Sequence, residues 1–298
     1  MALKAALFLN GAGGSPKDRV ALSMIQAAER QGLLIPYSGY AIYEATLARA
    51  KGYLAHICMP SDQSAEKSNL LLKLGAVVDK VPPAPIVEVG HFVNRARCLS
   101  RSYSSASTPY SFDSISRKSE ISNYESAASM AADKSSHGFF ADQFENPANW
   151  QAHFQTTGPE IFEQCEGKLD AFVSGAGTGG TISGVALYLK PRLPAMTVVL
   201  ADPQGSGLFN RIQFGVMFDT MEKEGTRRRQ QVDTVVEGIG INRITSNLEA
   251  GRELIDDAIR VTDAQAIAMA RWLVEKDGIF VGSSSAVNSR GRFDGNCC

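Results

Sequence analysis

The stretch Asp170-Ala-Phe-Val-Ser-Gly-Ala-Gly-Thr-Gly-Gly-Thr-Ile-Ser-Gly-Val-Ala-Leu-Tyr-Leu-Lys190 predicts a strand, a glycine loop and a helix in succession. The apolar run Ala171–Val173 is typical of a buried strand. Four glycines follow within six residues, and apolar residues then recur at helical spacing as far as Leu189. A strand that runs through a loop into a helix is typical of an α/β protein with a parallel sheet.

The glycine loop also predicts an anion-binding site. Glycines allow the backbone to turn sharply and to approach a ligand closely. The first amide groups of the following helix have no partner within the helix, and the helix dipole favours an anion there. A phosphate group fits these properties, although a tight turn without a ligand is the simpler alternative. The candidate phosphate-binding residues are Gly177, Thr178, Gly179, Gly180 and Thr181.

Two classes of ligand are compatible with the loop. Gly175, Gly177 and Gly180 match the G-x-G-x-x-G pattern of dinucleotide-binding proteins, and Asp202 ends a predicted strand where a ribose-binding acid would lie. The chain could therefore be a Rossmann protein that binds NAD(P). The alternative is the single phosphate of a cofactor such as pyridoxal 5'-phosphate (PLP).

The composition excludes several classes of protein. The 298 residues are enough for two modest domains, and the net charge of −1 indicates no strong attraction to nucleic acid or anionic membranes. No apolar run is long enough to span a bilayer. The five cysteines form no C-x-x-C pair and no zinc-type spacing with histidine, which indicates a reducing compartment. We expect a cytoplasmic or mitochondrial protein that is not secreted.

Strands and helices alternate along the chain, which predicts parallel sheets with right-handed crossovers. We expect an α/β fold of two parallel-sheet-containing domains, residues 1–141 and 142–298, with a cofactor cleft between them. Residues 102–136 are rich in serine and are expected to form a disordered insert. Patterns of apolar residues elsewhere in the chain predict further elements. The predicted strands are at 3–9, 235–240 and 278–281. The predicted helices are at 89–103, 247–259 and 263–276, the last capped by Asp263.

Two further motifs bear on the choice of ligand. Lys17 follows Gly13-Gly-Ser-Pro at a junction between a loop and a helix, where burial and cationic neighbours would lower the pKa of an amine that forms a Schiff base. PLP enzymes need such a lysine, whereas dinucleotide-binding enzymes do not; an exposed lysine is the alternative. Gly282-Ser-Ser-Ser-Ala286 follows a predicted strand, and a serine there could meet a pyridine nitrogen or could simply cap a helix.

Several motifs in one order resemble the cysteine synthase/cystathionine β-synthase family, which are fold-type II PLP enzymes with a tryptophan synthase β-like fold. The motifs are Gly13-Gly-Ser-Pro-Lys-Asp-Arg, Ala141-Asp-Gln-Phe-Glu-Asn-Pro-Ala-Asn-Trp, Thr156-Thr-Gly-Pro-Glu-Ile, Gly177-Thr-Gly-Gly-Thr and Val281-Gly-Ser-Ser-Ser-Ala. Ala201-Asp-Pro-Gln-Gly-Ser-Gly and Gly225-Thr-Arg-Arg-Arg resemble the fungal cysteine synthase-like branch. The resemblance covers about residues 1–288 apart from the serine-rich insert.

The resemblance implies a role for each candidate residue. Lys17 is implied as the Schiff-base lysine, and Gln143 as the residue that contacts the substrate carboxylate. Ser284, with Ser285 as the alternative, is implied as the partner of the pyridine nitrogen, and the turn Gly238–Gly240 would face the other edge of PLP. The implied reaction forms L-cysteine from O-acetylserine and sulfide by β-replacement, with serine dehydratase or cystathionine β-synthase chemistry as alternatives. Full-length relatives are implied to be homodimers.

The chain also departs from the family pattern. Family members carry a loop such as Thr-Ser-Gly-Asn-Thr-Gly that grips the substrate carboxylate, whereas this chain runs from Ile42-Tyr-Glu directly into Ala45-Thr. We expect that this loop is deleted and that the chain is truncated at both ends. β-Replacement would then be weak or lost, and a catalytically inactive member that acts as a binding protein is the further alternative.

Overall fold

The computed structural model describes residues 17–34, 40–42, 45–61, 65–84, 86–105, 138–218 and 234–290. These residues fall into two compact units, one within Asn10–Asp142 and the other within Gln143–Cys298. Each unit contains its own parallel sheet. No helix in the described ranges is long and apolar enough to cross a membrane.

The first unit contains a four-stranded parallel sheet in the order β3-β2-β1-β4. Its strands are β1 Tyr40–Ile42, β2 Leu54–Pro60, β3 Val77–Val81 and β4 Gly138–Phe140. Its helices are α1 Asp18–Arg30, α2 Ala45–Ala50, α3 Ala65–Lys73 and α4 Phe92–Ser105. The parallel arrangement confirms the prediction.

Helix α1 forms where apolar residues recur at helical spacing. Val20, Met24, Ile25 and Ala28 are buried on one face of this helix. Leu33 and Leu34 donate their amides to the carbonyl oxygen of Ala28, after Gly32 has adopted a φ of +70°. Such a left-handed glycine is a common helix end. The buried face of α1 thus joins the apolar core of the first unit.

The serine-rich segment is only partly described. Residues 102–105 form the last turn of α4, so the expected disorder is wrong for these four residues. Residues 106–136 of the predicted insert lie outside the described residues, as do the predicted strand at 3–9 and the motif at 13–16. The helix predicted at 89–103 is confirmed with its bounds shifted to Phe92–Ser105.

The second unit contains a three-stranded parallel sheet in the order β5-β6-β7. Its strands are β5 Ala171–Ser174, β6 Thr197–Pro203 and β7 Asp257–Val261. Its helices are α5 Ala148–Ala152, a π-helix His153–Thr157, α6 Gly158–Gln164, α7 Gly180–Leu189, α8 Leu208–Phe214, α9 Ser246–Glu249, a 3₁₀-helix Arg252–Leu254, α10 Asp263–Trp272, a π-helix Leu273–Asp277 and α11 Ser283–Arg290. Apolar side chains of α7 and β6 form the centre of the largest buried cluster.

Three predictions in the second half are wrong. The helix expected at 247–259 is replaced by α9, the 3₁₀-helix and β7, because β7 pairs in parallel with β6 and this tertiary pairing overrides local spacing. No strand forms at 235–240 or at 278–281. Gly238, Gly240 and Gly278 adopt positive φ angles, which interrupt an extended backbone at these places.

The helix predicted at 263–276 is confirmed as α10 and the π-helix that follows it. Its N-cap is Thr262 rather than Asp263. The hydroxyl of Thr262 accepts from the amide of Gln265, and the side chain of Gln265 accepts in return from the amide of Thr262. This reciprocal pair is a capping box.

Candidate functional site

The glycine loop connects β5, which ends at Ser174, to α7, which begins at Gly180. Gly179 precedes the helix with a φ of +79°, a conformation that favours glycine. The strand, loop and helix predicted from the sequence are therefore confirmed. The loop lies at the carboxyl end of β5, where α/β proteins commonly bind their ligands.

The loop presents a group of amides without acceptors. Within the described ranges, no hydrogen-bond acceptor is found for the main-chain N–H groups of Gly177, Thr178, Gly179, Thr181 and Ile182. Gly179 and Ile182 are buried. Buried amides almost always have a partner in folded proteins, so these groups fit an anion that the protein itself does not supply. A phosphate group has the charge and the acceptor oxygens for such a site.

Thr178 is held in the loop from three sides. Its Oγ1 accepts from Asn149 Nδ2 over 3.0 Å and from the amide of Gly180 over 3.4 Å. Its carbonyl oxygen accepts from Thr245 Oγ1 over 2.7 Å. Since a hydroxyl has one proton to donate, Thr178 can still donate a hydrogen bond to a bound anion.

Thr181 is supported by a buried histidine. His153 Nε2 lies 3.1 Å from Thr181 Oγ1, and His153 Nδ1 lies 2.9 Å from Thr157 Oγ1. His153 belongs to the π-helix, a rare form that is frequent at functional sites. The sequence analysis did not single out His153, because nothing local indicates its contact with the loop.

A second glycine turn lies directly against the loop. Gly240 donates its amide to the carbonyl oxygen of Ala176 over 2.8 Å. A Cβ atom at Gly177 would collide with the carbonyl oxygen of Gly238, so only glycine fits there. Gly238 itself has a φ of +84° and open space where a Cβ would be. The structure thus brings the predicted turn Gly238–Gly240 next to the predicted phosphate-binding residues.

Two buried carboxamides hold the main chain of Gln143. Its carbonyl oxygen accepts from Asn149 Nδ2 over 2.7 Å and from Asn247 Nδ2 over 2.9 Å. Asn247 Nδ2 also donates to the carbonyl oxygen of Phe144 over 2.7 Å. Asn149 and Asn247 are buried, and sequence reasoning did not single them out as site residues. Together they fix the backbone from which the Gln143 side chain extends.

An ion pair lies beside this carboxamide pair. The carboxylate of Glu145 accepts from the Arg243 guanidinium and from both the amide and the hydroxyl of Ser246. Burial raises the pKa of the Glu145 carboxyl, but the hydrogen bonds from Arg243 and Ser246 outweigh this effect and hold the pKa below its usual value. Arg243 also stacks on the Phe144 ring, at 4.9 Å from its centroid. Glu145, Arg243 and Ser246 line an open cavity of about 530 Å³.

The serines after Gly282 begin helix α11. Ser283 Oγ accepts from the amide of Glu237 over 3.2 Å, next to the glycine turn. Ser284 is half-buried and Ser285 is exposed. One turn later, Asn288 Oδ1 accepts from the amide of Gly175 over 2.7 Å. Helix α11 is therefore tied to both glycine segments, near its start through Ser283 and near its end through Asn288.

Lys17 belongs to the first unit. It precedes α1, and its carbonyl oxygen accepts from the amides of Val20 and Ala21. Its side chain is exposed, so the burial expected for a Schiff-base amine is not found.

The dinucleotide alternative depends on Asp202, and the structure does not favour it. Asp202 is fully buried in β6. Its Oδ2 accepts from the amide of Phe209 over 2.7 Å, in the first turn of α8. A carboxylate used in this way holds a helix terminus rather than a ribose hydroxyl.

The sequence profile of the pyridoxal-phosphate dependent enzymes matches residues 6–294 of the chain. The chain belongs to this family. PLP is therefore the cofactor of this pyridoxal-phosphate dependent enzyme, and its phosphate fits the unpaired amides of the glycine loop.

Curated relatives agree with this family membership. The chain is 68% identical over 296 residues to cysteine synthase 2 of Emericella nidulans, covering 96% of the chain and 65% of the relative. It is 60% identical over 298 residues to cysteine synthase 2 of Neurospora crassa, covering 96% and 60%. It is 54% identical over 298 residues to cysteine synthase 2 of Schizosaccharomyces pombe, covering 96% and 68%. The chain thus spans about three fifths to two thirds of the length of these relatives.

Proposed function

We propose that the protein forms L-cysteine from O-acetylserine and sulfide by PLP-dependent β-replacement. The observation that carries this proposal is the group of loop amides that find no acceptor among the described residues, in a chain that is 68% identical to a cysteine synthase. The phosphate of PLP would supply acceptors for those amides, and the relatives are named cysteine synthases.

The family resemblance implies a role for each proposed site residue. The loop amides and the hydroxyls of Thr178 and Thr181 would bind the phosphate. Ser284 would donate its hydroxyl to the pyridine nitrogen, Gly238 would allow the ring to approach the main chain, and Gln143 would orient the substrate carboxylate. PLP supplies an electron sink for charge that develops at the substrate α-carbon. Lys17 would hold the cofactor covalently and remove the α-proton.

A hydroxyl partner for the pyridine nitrogen affects the choice of reaction. Unlike a carboxylate, the hydroxyl of Ser284 does not stabilise a protonated pyridine, so the electron sink stays moderate. A moderate sink suits loss of a group from the β-carbon, which is the step that β-replacement requires. Sulfide then adds at the same carbon.

The missing carboxylate loop defines the second candidate. Family members carry a Thr-Ser-Gly-type loop where this chain runs into Ala45, and residues 43–44 lie outside the described residues. Without this loop, the substrate carboxylate would keep only the contact with Gln143. β-Replacement would then be weak, and the protein would bind PLP as a catalytically inactive member that acts through a partner.

A spectroscopic experiment separates these candidates. The full chain is purified with PLP, its visible absorbance is recorded, and the cofactor is fixed by borohydride and located by mass spectrometry. We expect label on Lys17, no label in Lys17→Ala, and normal labelling in the exposed control Lys73→Ala. Cysteine formation from O-acetylserine and sulfide supports the enzyme. Labelling without turnover supports the inactive member, and NAD(P) binding without labelling contradicts both.

Assembly and location belong to the same proposal. We infer a homodimer, as the family resemblance implies, and light scattering of the purified holoprotein tests it. A relative from Saccharomyces cerevisiae, 48% identical, carries a name that provisionally assigns it to mitochondria. We infer a cytoplasmic or mitochondrial location, which fractionation with a compartment marker tests.

A further inference from the structure

A group of three potential metal ligands lies on one face of the sheet in the first unit. Cys58 of β2 pairs in register with Asp79 of β3, and His56 lies two residues before Cys58 on the same face of β2. One ligand atom from each of the three side chains lies within 4.8 Å of the others. The sequence gives no sign of this group, because Asp79 is far from the other two residues along the chain.

The surroundings of the three side chains suit a coordination site. His56 is buried, and Cys58 and Asp79 are half-buried. Arg95 of α4 donates its Nε to Asp79 Oδ2 over 2.9 Å, which orients the carboxylate. Among the described residues, Asp79 Oδ1 accepts no hydrogen bond, so this oxygen can serve as a ligand. Carboxylates that bind metals are commonly oriented by such outer contacts.

The surroundings of His56 and Cys58 shift the pKa values of both side chains. Burial lowers the pKa of His56, while the charge of Asp79 opposes this and the charge of Arg95 adds to it, so a neutral imidazole is favoured. Burial and the charge of Asp79 raise the pKa of the Cys58 thiol to about 12 against the opposing charge of Arg95. A neutral imidazole is a competent ligand as it stands, whereas the thiol must lose its proton to a metal.

We propose that His56, Cys58 and Asp79 form a binding site for a divalent cation of the zinc class. Imidazole, thiolate and carboxylate are the donors that zinc uses, and a thiolate is not a ligand for magnesium or calcium. In a tetrahedral zinc site, neighbouring ligand atoms lie about 3.5 Å apart. Small side-chain rotations would bring the three ligand atoms from within 4.8 Å of one another to this separation.

Binding of the cation releases one proton. Three bonds form to the cation, from a ring nitrogen of His56, Sγ of Cys58 and Oδ1 of Asp79, and the S–H bond of Cys58 breaks. The proton leaves to solvent, and no electron is transferred. The charges of the thiolate and the carboxylate then balance the cation, while Arg95 keeps its hydrogen bond to Asp79 Oδ2. This site does not depend on the proposed cysteine synthase activity.

Calorimetry with Zn²⁺ on the full PLP-loaded chain tests the site. The protein is first reduced and freed of metal with a chelator, and the background carries Cys297→Ser and Cys298→Ser because adjacent thiols would bind the probe elsewhere. We expect one equivalent of Zn²⁺, and binding at least about tenfold weaker in Cys58→Ser, His56→Gln and Asp79→Asn. Two controls from the same unit, Cys98→Ser and His91→Gln, keep the parent affinity.

Two further measurements report directly on Cys58, and the second of them needs no variant. With Co²⁺, the difference absorption spectrum is expected to contain a thiolate charge-transfer band that Cys58→Ser removes and Cys98→Ser keeps. In the parent protein, Zn²⁺ is expected to slow alkylation of Cys58 but not of the exposed Cys98. Equal binding by all variants, loss of binding in Cys98→Ser alone, or unchanged alkylation of Cys58 would overturn the proposal.

Discussion

Asn149 Nδ2 lies 3.0 Å from Thr178 Oγ1 and 2.7 Å from the carbonyl oxygen of Gln143. One buried carboxamide therefore connects the proposed phosphate loop to the residue proposed to contact the substrate carboxylate. Neither contact is visible in the sequence. The distance between cofactor phosphate and substrate is thus expected to depend on a residue that touches neither of them.

Replacing Asn149 by alanine is expected to weaken PLP binding about tenfold and to lower the free energy of unfolding by about 1 kcal/mol, because Thr178 Oγ1 and the Gln143 carbonyl oxygen each lose one of their two donors. Titration of the apoprotein with PLP and urea unfolding measure the two effects. Asn94→Ala is the control, since Asn94 Nδ2 likewise donates to two carbonyl oxygens, those of Ile86 and Glu88, in the other unit. The control is expected to lose stability without losing PLP affinity, and equal loss of affinity in both variants would contradict the role of Asn149.

Gly177→Ala is expected to reduce PLP affinity strongly, because the new Cβ would collide with the carbonyl oxygen of Gly238 and separate the loop from the facing turn. Gly282→Ala is the matched control, since a Cβ there has nothing within 4 Å. PLP titration and the melting temperature are measured for both variants. Parent-like PLP binding by Gly177→Ala would show that the loop and the turn need not lie so close together.

Thr245 offers a test with a conservative rescue. Its hydroxyl donates to the carbonyl oxygen of Thr178 over 2.7 Å and accepts from the amide of Leu248 over 3.0 Å. Thr245→Val keeps the shape but removes both bonds, so we expect a loss of about 2 kcal/mol in unfolding free energy and weaker PLP binding. Thr245→Ser keeps the hydroxyl and is expected to retain most PLP affinity. Urea unfolding and PLP titration are the measurements, and identical behaviour of the two variants would count against the role of the hydroxyl.

Acid is expected to weaken the contacts made by Glu145. The pKa of this carboxyl is lowered in the folded protein, so its contribution to stability is present above the unfolded pKa of about 4.3 and is lost as the pH falls through the folded value. Urea unfolding between about pH 6 and pH 3 should therefore show a stability difference between the parent and Glu145→Gln that shrinks on acidification. The side chain of Glu145 is 38% exposed, so solvent screening keeps this difference small. A difference that grows in acid would reverse the assigned direction.

The sequence predicted those parts of the fold whose signals are local. Strand β5, the glycine loop and helix α7 are encoded in the 21 consecutive residues 170–190, and their predicted form is confirmed. Strand β7 was missed because its identity depends on pairing with β6, where Val199 lies opposite Asp257 far along the chain.

The same distinction between local signals and long-range contacts applies to the candidate site. Glycines and hydroxyl residues of the loop were recognisable from their order, and so was the glycine turn at Gly238. Asn149, Asn247 and Thr245 were not, since their contacts span 29, 104 and 67 residues and ordinary polar residues carry no mark of such contacts. His153 was missed for the same reason. Lys17 was expected to be buried only because its proposed chemistry requires burial. In the structure its side chain is exposed.

The hydrogen bond from the amide of Gly175 to Asn288 spans 113 residues of chain. During synthesis, the glycine loop is therefore translated 113 residues before Asn288, whose side chain accepts from the amide of Gly175. Until then, this amide can bond only to water or to a transient acceptor. Cofactor capture by a nascent chain is thus expected to wait for helix α11, which makes the order of synthesis a determinant of when the protein can acquire its vitamin-derived group.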